Sequence, residues 1–215
     1  MNPVEKERDT IKKEEKQKVF TVKNIARTAL LSAISFVLYM FVKTPVPSLF
    51  PVFLDIQVSD VPALLGAFAM GPWAGVAIII IKCALKMPFS GTGLVGEVAD
   101  MLIGIAMVLP AALIYSAKKS KKTAVAGLIA GTLASTATAL LANRFILIPL
   151  YTQLFLPWEA LLGMLSALYS KTVTRDNFYT YYLLLAVLPF NLLRLFLVDI
   201  ITLAIYKPLR RVLHS

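Results

Sequence analysis

A chain of 215 residues that is 58% hydrophobic and 16% charged, with a mean hydropathy of +0.75, is too apolar for an ordinary soluble domain. Its 22 Lys and Arg outnumber 12 Asp and Glu, but they gather at the edges of apolar runs, as anchoring loops against an anionic membrane leaflet do, and no soluble face remains to bind nucleic acid. One cysteine, Cys83, excludes an intramolecular disulfide, and one histidine, His214, leaves no material for a His-based metal cluster or a Ser/His/Asp triad, so neither enzyme activity nor a cofactor is expected.

Residues 1–20 are rich in Lys, Arg, Glu and Asp and too poor in apolar side chains to order themselves, which predicts a disordered or frayed cytoplasmic tail. Residues 21–215 are expected to form one all-α membrane domain. Its first helix, from about Lys23 to Val42, has the length that a bilayer core demands and lacks a small-residue cleavage site, so it reads as a span rather than a signal peptide. Pro45, Pro47 and Pro51 then make Thr44 to Gln57 a loop, although Phe50, Phe53, Leu54 and Ile56 stud it.

The apolar run from Asp60 to Lys86 is interrupted at Gly71-Pro72 and divides into two short helices, with one kinked helix as the alternative. A Pro/Gly-rich link from Met87 to Gly93 precedes a helix from about Leu94 to Ala117. After the basic turn of Lys118, Lys119, Lys121 and Lys122, a fifth helix begins near Thr123 and ends between Leu141 and Ile148. Beyond Pro149 a long polar and aromatic connection leads to the last helix, about Tyr181 to Tyr206, followed by Lys207, Arg210 and Arg211. Six helices put the tail, the basic turn and the C-terminal cluster on one side, which the positive-inside rule makes cytoplasmic.

Asn143, Arg144, Asn191 and Arg194 fall near the outer ends of the last two helices, and Asn191 and Arg194, three apart, share a helix face. Polar groups inside hydrocarbon face a cavity or a partner, so with Lys82, Glu97 and Asp100 they suggest a small-molecule site roofed by the apolar loop. Competing readings are snorkelling for Arg144 and Lys82, helix capping for Asn191, a Glu97–Arg194 bridge, and an interhelical hydrogen bond for Asp199. Ala26, Ala29 and Ala33 leave a small-residue groove on the first helix where another helix can approach. No Gly-rich phosphate loop is present, so any ATP-driven step is powered elsewhere, and no pair of equivalent halves with broken helices is visible.

Five ordered motifs, "LLSAISFVL" from Leu30, "SDVPALLGAFAMGPWAG" from Ser59, "VGEVADMLIG" from Val95, "NRFILIPLY" from Asn143 and "LPFNLLR" from Leu188, resemble the S component of an energy-coupling factor (ECF) transporter. The similarity is greatest to the riboflavin-specific branch. It implies a six-helix bundle in the cell membrane with cytoplasmic termini, a vitamin site on the outer side, and as partners a transmembrane coupling protein, contacted through Ala26, Ala29 and Ala33, and two cytoplasmic ATPases. Asn191 and Arg194 match the Asn and Lys of the branch's "PFN..K" segment, with Arg in place of Lys.

The expected substrate-binding set is Leu54, Asp55, Gln57, Lys82, Glu97, Asn143, Arg144, Tyr151, Asn191 and Arg194. Two guanidinium groups near one pocket suit a carboxylate or phosphate, which keeps pantothenate and flavin mononucleotide as alternatives to riboflavin. An ion-driven carrier using Asp199 and Glu97, and a ligand-free scaffold, are the readings from other classes.

Overall fold

The computed structural model describes residues 21–213, with residues 207–213 described by their backbone alone. The tail expected over residues 1–20 and the side chains of Lys207, Arg210 and Arg211 lie outside it. Five helices are long and apolar enough to cross a bilayer, Val22–Phe41, Pro72–Phe89, Val95–Ala117, Lys121–Leu154 and Phe178–Tyr206, and a shorter apolar helix, Val61–Met70, joins them. Divided by backbone geometry, the elements are α1 (Val22–Phe41), β1 (Lys43–Pro45), β2 (Asp55–Gln57), α2 (Val61–Met70), α3 (Pro72–Lys86), α4 (Val95–Ala117), α5 (Lys121–Ala142), α6 (Ile148–Leu154), α7 (Trp158–Tyr169), α8 (Phe178–Tyr181) and α9 (Leu188–Leu213).

The break at Gly71-Pro72 makes two helices. Gly71 has φ +106°, a conformation that an L side chain rarely adopts, and Pro72 opens α3 without needing its missing N–H. Folded back on α3, α2 is buried from Val61 to Phe68 and forms the centre of the main core with Ile78, Ile79, Met107, Val108, Leu195 and Val198. The basic turn remains exposed at Lys118, Lys119, Lys121 and Lys122, and Ser120 and Thr123 close a capping box at the start of α5.

Three expectations need correction. Pro149 does not end the fifth helix: a π-helical turn, Asn143–Leu147, carries the chain into α6, and Pro149 lies within the continuous helix just after that widened turn. The last helix likewise begins earlier, as α8 and a second π-helical turn, Tyr182–Val187, lead continuously into α9. Between them the expected irregular connection contains α7, whose Leu161 and Leu165, one turn apart, are buried against Phe178 and Tyr182. The proline-rich loop after α1 also closes on itself, with β1 and β2 antiparallel and Thr44 opposite Ile56.

Residues from the C-terminal end of α1, the hairpin, the C-terminal end of α3, the N-terminal part of α4, the first π turn and α9 surround one cavity. At about 1.5 Å per residue, the 23 residues of α4 rise roughly 34 Å from this cavity, enough to cross a bilayer core. Far from the cavity, Tyr115 and Tyr206 share a hydrogen bond, and both pack on Phe68.

Candidate functional site

The cavity has a volume of about 270 Å³, suited to a single small molecule. Its apolar wall comes from Tyr39, Phe53, Leu54, Ile103, Leu147, Tyr151 and Phe190, and its polar wall from Asp55, Gln57, Lys86, Thr92, Glu97, Asp100, Asn143, Asn191 and Arg194, with Lys43 at the hairpin. Phe53 packs against both Tyr151 and Tyr182, and Phe50 meets Phe190 edge to face at 5.4 Å, so the loop is pinned over the cavity by aromatic contacts.

Both asparagines are held by their own helices. Asn143 donates through Nδ2 to the Ala139 carbonyl at 2.8 Å, and its Oδ1 accepts from the Tyr182 hydroxyl at 2.6 Å. Asn191 donates to the Val187 carbonyl at 2.8 Å, which leaves its amide oxygen and second N–H for whatever fills the cavity it lines. Since α9 continues unbroken from the turn before it, Asn191 is not a helix cap.

Beside the cavity α3, α4, α9 and the residue that precedes α2 contribute to one buried ionic ring. The Arg194 guanidinium donates through Nη2 to Asp60 Oδ2 at 3.0 Å and through Nη1 to Asp100 Oδ1 at 3.2 Å. Lys82, fully buried, reaches Asp60 Oδ1 at 2.5 Å and Asp100 Oδ2 at 3.0 Å. Gln57 donates to Asp100 at 2.9 Å and accepts from the Ser59 hydroxyl at 2.8 Å. Removing one member of such a buried pair costs about 3–5 kcal/mol, because its partner is left charged and dry.

Nearby, Glu97 pairs with Lys86 at 3.5 Å, and its other oxygen accepts from Ser90 at 2.7 Å and Thr92 at 3.1 Å. Lys43 pairs with Asp55 at 3.3 Å across the hairpin. Thus the four cations in and beneath the cavity, Lys43, Lys82, Lys86 and Arg194, are matched by four carboxylates, Asp55, Asp60, Glu97 and Asp100.

Of the ten residues expected at a binding site, the fold brings Leu54, Asp55, Gln57, Glu97, Asn143, Tyr151, Asn191 and Arg194 around this cavity. Lys82 lies behind the wall in the ionic ring and does not snorkel. Arg144 is exposed, with its guanidinium 4.6 Å from the centre of the Tyr179 ring, and does not line the cavity. Glu97 and Arg194 do not pair with each other; each has nearer partners. Tyr39, Lys86, Thr92 and Phe190 were not expected in the wall, whereas Phe53 belongs to the apolar loop expected to roof it.

Asp199 accepts a hydrogen bond from Thr132 at 2.8 Å, joining α9 to α5 away from the cavity. Ala26, Ala29 and Ala33 are all exposed on α1, whose buried side chains are Ser32 and Ser35.

The chain is 33% identical to the riboflavin transporter FmnP of Bacillus subtilis over 192 residues, covering 88% of this chain and 93% of that protein. It is 40% identical to the riboflavin transporter RibU of Staphylococcus aureus over 133 residues, covering 62% and 69%. A solved S component of a bacterial ECF transporter superposes with a TM-score of 0.69 at 32% identity, covering 90% of this chain and 98% of that one. The family of ECF transporter substrate-specific components, transport subunits rather than enzymes, matches residues 23–206. The chain is therefore a multi-pass membrane protein and belongs to the family of ECF transporter substrate-specific components.

Proposed function

We propose that this chain is the riboflavin-binding S component of an ECF importer. The carrying observation is a cavity walled by aromatic residues whose cations are all matched by carboxylates. A neutral ligand with a large apolar ring and a polar rim fits such a site. The flat ring system would lie among Tyr39, Phe53, Leu54 and Tyr151, while Asn143 and Asn191 supply donors and an acceptor for its carbonyl, ring-nitrogen and hydroxyl groups. The riboflavin transporters at 33% and 40% identity support this reading.

The alternatives of pantothenate and flavin mononucleotide drew on two guanidinium groups at one pocket. That premise weakens, because Arg144 lies outside the cavity and both terminal nitrogens of Arg194 are engaged. In the cell membrane the cavity would open outward and the termini lie in the cytoplasm, as the positive-inside distribution requires. A transmembrane coupling protein would then dock along the exposed Ala26, Ala29 and Ala33, with two cytoplasmic ATPases supplying the energy.

The test is equilibrium binding to the detergent-purified protein, read by quenching of flavin fluorescence. Riboflavin is expected to bind at one per chain, flavin mononucleotide more weakly, and pantothenate not to compete. Absence of flavin binding, or displacement by pantothenate, overturns the proposal.

A further inference from the structure

We infer that Asp100, acting with Asp60, is a specificity-determining positioning residue that masks the charge of Arg194 and thereby makes the site prefer a neutral flavin to its phosphate monoester. This rests on the riboflavin reading above and deepens it. A free guanidinium is a fork that grips phosphate through two parallel N–H bonds. Here the fork is already occupied: one terminal nitrogen is held by Asp100 and the other by Asp60. The Nε of Arg194 is buried and has no hydrogen-bond partner among the described residues, so no second N–H of the guanidinium is left facing the cavity to complete a fork.

Lys82 holds the remaining oxygens of the same two carboxylates. The ring therefore contains two cations and two carboxylates and sums to zero. Asp100 and Arg194 of this ring line the cavity themselves, so a phosphate held there is exposed to the ring's net charge. In surroundings this dry, a change of one unit in the ring's charge is felt strongly by an anionic ligand and little by a neutral one.

The experiment measures dissociation constants for riboflavin and for flavin mononucleotide with the purified full-length protein and three variants. Asp100→Asn gives the ring a net positive charge and is expected to shift the ratio of the two constants about 10- to 100-fold toward the phosphate. Lys82→Met makes the ring negative and is expected to shift the ratio the opposite way. The Asp100→Asn/Lys82→Met double variant restores neutrality, and its ratio should return to within about threefold of the unaltered protein, since the two residues belong to one network.

A merely structural role weakens both flavins together and leaves the ratio flat across the series, which overturns the inference. If Asp100→Asn does not fold, Asp60→Asn supplies the positive ring and is judged by the same ratio. An unaltered protein that binds riboflavin while its variants show a flat ratio removes this inference alone. One that binds neither flavin removes the riboflavin reading and this inference with it.

Discussion

Tyr182 determines what Asn143 can offer. Its hydroxyl, fully buried, donates to the Asn143 amide oxygen, while the amide nitrogen is held by the Ala139 carbonyl, so the side chain has one orientation. Tyr182→Phe removes the donor and lets the amide turn. Riboflavin affinity is expected to fall about 3- to 10-fold and stability by about 1 kcal/mol, checked by fluorescence titration and thermal unfolding. Lower stability with unchanged affinity would mean that Asn143 does not address the ligand. Tyr169 plays a comparable role outside the cavity. Pro189 has no N–H for the Leu185 carbonyl four residues back, and the Tyr169 hydroxyl donates there at 3.0 Å. At this scale the sequence disclosed which residues were too polar for their apolar surroundings, Asn143, Asn191 and Arg194 among them, but not their partners. Asp60 and Asp100 lie 134 and 94 positions from Arg194, and helical spacing relates only near neighbours along the chain.

Between elements, α5 packs directly on the backbone of α4. A Cβ on Gly127 would stand 2.5 Å from the Ala111 carbonyl oxygen, so the two backbones meet where no side chain fits. Gly127→Ala is expected to push the helices apart and to destabilise the protein by about 1–3 kcal/mol, read as a lower thermal midpoint in detergent. An unshifted midpoint would show that the pair can separate without loss. The long apolar runs and the Gly71-Pro72 break were readable because hydrophobic length and proline chemistry act locally. In contrast, α7 was not, because its twelve residues are too few for a span and are flanked by the polar stretch through Lys171, Arg175 and Asp176. The hairpin was also hidden: three-residue strands next to prolines carry too little alternation to distinguish them from a loop.

The whole molecule separates two surfaces. The cavity lies within the bundle, whereas Ala26, Ala29 and Ala33 face outward along α1, and none of the three lines the cavity. Replacing Ala29 and Ala33 with Leu is therefore expected to leave riboflavin binding within about twofold while abolishing uptake in cells that carry the full importer. Normal uptake would remove α1 as the docking face. Membrane class and helix number were legible from hydropathy and charge placement, since a bilayer imposes its thickness on the chain. How the helix ends enclose a cavity depends on packing between distant segments. The two π-helical turns have a further consequence for how such a site can change. Each holds one residue more than a regular turn would, and one residue amounts to about 100° of rotation. Deleting a single residue between Tyr182 and Val187 would regularise the helix, yet it would swing Asn191 and Arg194 away from the cavity together. Insertions and deletions there thus act as a selector dial for the binding face, moving in steps too large for gradual adjustment.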